Sequence, residues 1–203
     1  MKAKGVLSLA FTLLALSMTW WWPLASDNDM ELDKSLAILS ALQILLLLGG
    51  WVVWRPSTSL LGLRLTPQSI TWTLGLGLGL LALGLWMLST QGAWRWKEPG
   101  DLPGREALVW MAAYKVILGP LFEELCFRSH FQGLVESRLG PWAAYIVVFF
   151  MFVACHAEAP LTLLLGAAGM GFLRAKTGSM WPALALHVAG NAFIIGCSIF
   201  LTQ

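Results

Sequence analysis

Apolar residues in this chain fall into long blocks separated by short polar stretches, and the blocks approach the roughly 20 residues that a helix needs to cross the hydrocarbon of a bilayer. The first block runs roughly 5–24 and ends at the acidic stretch Asp27, Asp29, Glu31, Asp33. Further blocks follow at roughly 35–54, closed by Trp51, Trp54 and Arg55, and at 69–89, after a short amphipathic linker holding Pro56, Arg64 and Pro67. A polar loop at 91–104 precedes a fourth block, which starts between Arg105 and Trp110 and runs past Arg128. The last three are 141–157, 160–174 and 181–201, with the turn Thr177-Gly178-Ser179 before the final one. The pattern predicts an all-α, polytopic bundle of about seven transmembrane helices.

Composition agrees with that pattern. Hydrophobic residues make up 58% of the 203 and charged residues 12%, against about 45–50% and about 25% in soluble domains. A net charge of +2 gives nucleic-acid binding no electrostatic support. Lys2 and Lys4 ahead of an apolar run imitate a signal peptide, but the run continues through Trp20, Trp21 and Trp22 with no small-residue cleavage site, so it reads as a retained span. An inner N-terminus groups Lys2, Lys4, Arg55, Arg64, Arg138, Arg174 and Lys176 on one side, against Lys34, Arg95, Lys97 and Arg105 on the other. The larger set belongs inside, which predicts N-in, C-out. Gly75, Gly77 and Gly79 predict close helix approach in the third span, and the unpaired Cys126, Cys155 and Cys197 read as buried free thiols. No repeat or second domain is visible, so residues 1–203 read as one membrane domain, with three N-terminal spans in 1–90 and a polar-bearing part in 105–201.

Ionisable groups inside a membrane are costly and mark function by default. The fourth span carries Glu123, Glu124 and Arg128. Adjacent carboxylates sit about 100° apart around a helix, so the two must do different work. Glu124 and Arg128 are spaced i,i+4 in the favourable order and can neutralise each other, which leaves Glu123 as a candidate general base. A helix end with its charges among the headgroups fits the same residues. In the fifth span Phe152 and His156 share a face, with Glu158 nearby; in the seventh, His187 and Asn191 do. Either pair alone also fits an interfacial histidine or an interhelical clasp. Together they supply a carboxylate and an imidazole to activate water, and two donors for a developing oxyanion.

The set Glu123-Glu124-x-x-x-Arg128, Phe152-x-x-x-His156, His187-x-x-x-Asn191 resembles the CAAX protease and bacteriocin-processing family, which includes the type II CAAX prenyl endopeptidases. The resemblance covers roughly 105–195, and Thr177-Gly178-Ser179 also fits it. It implies a glutamate-type intramembrane endopeptidase with its site in a polar cavity inside the bilayer. Glu123 and His156 would activate the water, His187 and Asn191 would form the oxyanion site, and Glu124 and Arg128 would support the motif. The expected partners are the bilayer and a membrane-associated protein or peptide, cut near its C-terminal end or membrane-embedded tail, in a bacterial plasma membrane. No cofactor is expected. Zinc on the glutamate and two histidines is the alternative chemistry, and a bacteriocin-immunity or scaffold protein is the alternative role. A transporter is disfavoured by the absence of matching halves.

Helix geometry sets a condition on this reading. At 1.5 Å per residue, His156 lies roughly 22 Å and His187 about 10 Å from span ends on the same side, so the fifth span must start deeper, tilt or bend. Pro120, one turn before Glu123, removes a helix hydrogen bond and is expected to open the fourth span. Lys115 is expected to snorkel outward.

Overall fold

The computed structural model describes residues 29–54, 56–91, 105–156 and 161–200. The predicted first span, the loop over 92–104 and Glu158 lie outside them. Every regular element among the described residues is helical: α1 (Asp29–Trp54), α2 (Pro67–Gln91), a long α3 through 105–139, α4 (Pro141–Ala154), α5 (Leu161–Thr177) and α6 (Trp181–Phe200). Glycine and proline set the corners. Gly140 (φ 82°) ends α3, with Pro141 at the first position of α4. Gly178 (φ 66°) ends α5, its N–H returning to the Arg174 carbonyl at 2.9 Å.

The fourth predicted span is observed as α3, but it is not one regular α-helix. Two stretches, Ala112–Leu118 and Leu125–Phe131, are π-helical, and Gly119–Glu124 between them is α-helical. α1 packs on the first half of α3, α4 on its second half and on α5, and α6 on α5, α2 and the first π-stretch. The core is formed where these meet, by Phe122, Phe127, Phe131, Val148, Phe152, Met170, Leu173, Met180 and Leu186.

Among the described residues one helix is long and apolar enough to cross a membrane, Leu32–Val52, with a mean hydropathy of 2.0; Pro141–Ala154 and Trp181–Gly196 are apolar but shorter. The distribution of residues around the bundle adds to this. Leu45, Val52, Leu74, Leu78, Ile117, Ile146 and Phe150 point outward, while Glu124, Arg128, Ser129, His130, Gln132 and Arg174 are buried. An apolar exterior around a charged interior is the arrangement a lipid solvent favours.

Several sequence expectations change. α1 begins at Asp29, so Asp33 is not a loop residue; it is buried and paired with Lys115 of α3 at 3.3 Å. Lys115 does reach the surface, with 48% of its side chain exposed, but as half of an ion pair. Arg174 is no loop charge either, being 1% exposed, and so it drops out of the positive set that argued for orientation. Trp51, which closes the second apolar block, is buried against His130. Cys126 is buried as expected, whereas Cys155 is exposed.

Close packing at glycine also occurs elsewhere than predicted. A Cβ at Gly75 or Gly79 would meet nothing within 4 Å, and at Gly77 only Leu186 at 4.0 Å. The tight positions are Gly171, which lies under the Tyr145 ring, and Gly133, where a Cβ would collide with the Leu60 carbonyl oxygen. Leu60 belongs to the linker between α1 and α2, which is bound to the rest of the bundle carbonyl by carbonyl. Leu60 O accepts from Arg174 Nη2 (3.3 Å), Leu61 O from Ser129 Oγ, Gly62 O from Met180 N (2.8 Å) and Leu63 O from Trp181 Nε1 (2.8 Å). Gly133→Ala should therefore destabilise the protein by roughly 1–3 kcal/mol, whereas Gly75→Ala should be neutral or stabilising by up to about 1 kcal/mol. Thermal unfolding of the two variants in detergent checks the contrast.

Candidate active site

The glutamate turn lies between the two π-stretches of α3. Glu124 points inward and is fully buried, while Glu123 keeps 29% of its side chain exposed. The different duties expected of the adjacent carboxylates thus appear as different environments. Arg128, one turn on, is buried with its Nε 3.6 Å from Glu124 Oε2. It donates from Nη2 to the Ala167 carbonyl at 3.4 Å, and its guanidinium lies 4.4 Å from the Phe152 ring centroid. The predicted Glu124–Arg128 pair is present as an ion pair beyond hydrogen-bonding distance.

Glu124 has a second partner that the sequence did not suggest. Its Oε1 lies 3.0 Å from His187 Nδ1 on α6. A carboxylate accepts here, so Nδ1 carries the proton. The other nitrogen, Nε2, faces Glu123 Oε2 at 3.9 Å. His187 therefore stands between the two glutamates, one at each ring nitrogen. Asn191, one turn further along α6, does not reach the glutamates; its Nδ2 donates to the Lys115 carbonyl at 2.6 Å.

His156 is placed by a helix end. α4 stops at Ala154, and His156 lies in the turn beyond it, with Nδ1 2.8 Å from the Phe152 carbonyl oxygen. Its ring stacks on Phe152 at 4.5 Å, and the Phe152 ring meets His187 edge-on at 6.4 Å. The helix starts at Pro141 as the apolar block does, and the link between the two histidines is the Phe152 ring, which touches both. No hydrogen bond or ion pair among the described residues joins His156 to Glu123. The structure thus brings together Glu123, Glu124, Arg128 and His187, places His156 one ring away, and directs Asn191 to backbone.

A zinc site would need Glu123, His156 and His187 to converge. Nδ1 of each histidine is engaged, by Glu124 and by the Phe152 carbonyl, which leaves Nε2 of each ring as the nitrogen able to face a ligand; among the described residues no group of three or more His, Cys, Asp or Glu is disposed to hold a metal.

A family model described as type II CAAX prenyl endopeptidase Rce1-like matches residues 105–193. Over that segment, which is less than half of the chain, the sequence is similar to the Rce1-like family. The Rce1-like segment begins with α3 and encloses Glu123, Glu124, Arg128, His156, His187 and Asn191. The Bacillus subtilis (strain 168) protein named "Putative membrane peptidase YdiL" is 28% identical over 92 residues, which is 44% of this chain and 38% of that protein. The similarity therefore spans well under half the length of that relative. No solved structure matches the chain.

Three contributors outside the predicted set emerge. His130, buried within the second π-stretch, accepts at Nδ1 from Trp51 Nε1 (3.1 Å), which ties α1 to the Rce1-like segment. Arg174 pairs with Glu136 at 3.0 Å and donates from Nε to the Arg128 carbonyl at 3.1 Å. Asp33 holds Lys115. Arg174 stands at the end of an apolar run and His130 in the polar stretch Arg128-Ser129-His130; no spacing rule names the partner of either. Removing one member of a buried pair leaves an uncompensated charge. Arg128→Met should cost roughly 3–5 kcal/mol, and adding Glu124→Gln should recover at least half of the loss, as read by thermal unfolding of the single and double variants.

Proposed function

We propose that the protein is an intramembrane endopeptidase in which Glu123 activates the attacking water. The arrangement of His187 between two carboxylates carries this reading. Glu123, the partly buried one, keeps 29% of its side chain open to water and substrate. Glu124, the buried one, fixes the imidazole so that Nε2 faces the reacting centre. Glu123 takes a proton from a water as its oxygen adds to the scissile carbonyl, and returns that proton to the amide nitrogen as the tetrahedral intermediate collapses and the C–N bond breaks. His187, with Nδ1–H held by Glu124, donates from Nε2 to the developing oxyanion when it carries the second proton. The neighbouring Arg128 balances the charge on Glu124. His156 joins by turning its ring from the Phe152 carbonyl toward the site, and Asn191 offers its second amide hydrogen to the oxyanion.

The substrate in this proposal is a membrane, lipidated or secreted protein, cut near its C-terminal end or in its membrane-embedded tail. The family of residues 105–193 and the name of the Bacillus relative support it. The chain itself is proposed to cross a bacterial plasma membrane about seven times with its N-terminus inside. The apolar outer faces of α1, α2 and α4 support the membrane setting, and Lys2, Lys4, Arg55, Arg64, Arg138 and Lys176 support the orientation once Arg174 is removed. The chemistry is proposed to be metal-independent.

The test is to compare peptide termini in membranes of cells making the wild type or Glu123→Gln. Wild-type membranes should gain a defined set of new termini, and Glu123→Gln should lower their yield at least about 10²-fold while inserting normally. Equal yields from both proteins would overturn the mechanism and leave a non-catalytic membrane protein. Cleavage of the identified peptide by purified protein should also persist after chelation; loss restored by zinc would reverse the assignment of the chemistry.

A further inference from the structure

A helix that changes from π to α register passes over one carbonyl, because successive amides switch from the fifth to the fourth residue back. α3 makes this change twice. At the end of the first π-stretch Gly119 N–H donates to the Tyr114 carbonyl, five residues back, and Pro120 has no N–H to continue. The Lys115 carbonyl is passed over. At the end of the second, Gln132 N–H donates to the Phe127 and Ser129 carbonyls, so the Arg128 carbonyl between them is passed over. Both carbonyls are taken up by side chains from other helices, Lys115 O by Asn191 Nδ2 of α6 at 2.6 Å and Arg128 O by Arg174 Nε of α5 at 3.1 Å. Glu123 and Glu124 lie between these two points.

We propose that the two register changes are docking points that set the rotation of the glutamate turn, with Asn191 and Arg174 as positioning residues that hold its two passed-over carbonyls. Each π-stretch inserts one extra residue, and one residue of phase turns everything beyond it by about 100°. Such a rotation would take Glu124 away from His187 and Arg128. Holding both carbonyls from α5 and α6 stops the stretches from relaxing to α-helix. The clamp reaches further at each end. Lys115 also pairs with Asp33 of α1, and Arg174 also binds the Leu60 carbonyl and Glu136. The contact with Lys115 O fixes the Asn191 amide as well, since only its nitrogen can face a carbonyl. One N–H is used there and the second remains for substrate.

The clamp itself does not depend on the peptidase reading; only its effect on turnover does. Pro120→Ala restores an N–H five residues from the Lys115 carbonyl and so supplies the missing backbone donor. Asn191→Ala should lower the melting temperature in detergent by roughly 2–4 °C, and by less than half that amount when Pro120→Ala is already present. An equal fall in both backgrounds overturns the docking at Lys115. For Arg174, the readout is hydrolysis of a synthetic copy of the peptide found by terminal profiling. Arg174→Gln should lower kcat by roughly 10²-fold with KM within about twofold, and Arg174→Lys, which keeps the charge for Glu136, should fall between. Unchanged kcat in a folded Arg174→Gln or Arg174→Lys protein overturns the positioning role. The melting comparison decides the clamp even where profiling yields no peptide.

Discussion

The contact of the buried Glu124 carboxylate with Arg128 and His187 is the constraint around which the bundle is organised. A fully buried carboxylate is tolerated only with charge and hydrogen-bond partners, and here they come from its own helix and from α6. Meeting both requires α6 to cross α3 at the glutamate turn. It also requires Phe152 of α4 to lie against the Arg128 guanidinium, which brings the end of α4 and His156 to the same place. The arrangement leaves Glu123 as the carboxylate with access to solvent and substrate. The inequality of two adjacent residues is therefore a product of packing: one is used up by structure, and the other stays partly accessible.

α3 achieves this by departing from regular helix on both sides of the glutamate turn. π-stretches widen the helix and turn the residues beyond them, and they leave carbonyls that a regular helix would satisfy internally. In a low-dielectric surrounding such carbonyls need partners, and Asn191 and Arg174 provide them. The same need explains the linker between α1 and α2. Its successive carbonyls from Leu60 to Leu63 are each met by a donor from the Rce1-like segment. Together with the Trp51–His130 and Asp33–Lys115 contacts, this makes α1 and its linker part of the framework around the site, although the family match begins only at residue 105.

Much of this was legible from the chain alone. Apolar blocks without internal charge announced helices and a lipid setting because the hydrophobic effect acts through composition and length. The spacing of Glu124 and Arg128 announced their pairing because i,i+4 contact follows from helix periodicity. The same periodicity put Phe152 beside His156. Where local rules stopped, expectations failed. Asp33 was read as part of an acidic stretch between spans and Arg174 as one of the inner-side charges; their partners, Lys115 and Glu136, lie on another helix. Gly75, Gly77 and Gly79 were read as packing positions by residue type, yet the close approaches are at Gly133 and Gly171, where a partner backbone or ring happens to pass.

The sequence by itself determined an all-helical chain, the residues with chemistry to offer, and the family that 105–193 resembles, since these depend on residue identity and short-range periodicity. Only the tertiary structure decided how those residues share the work. His187 came to face both glutamates, Asn191 turned to a backbone carbonyl, and His156 stopped one ring short of Glu123, because each outcome depends on where one helix crosses another. A crossing is set by the joint packing of many side chains, and no spacing within a single segment encodes it.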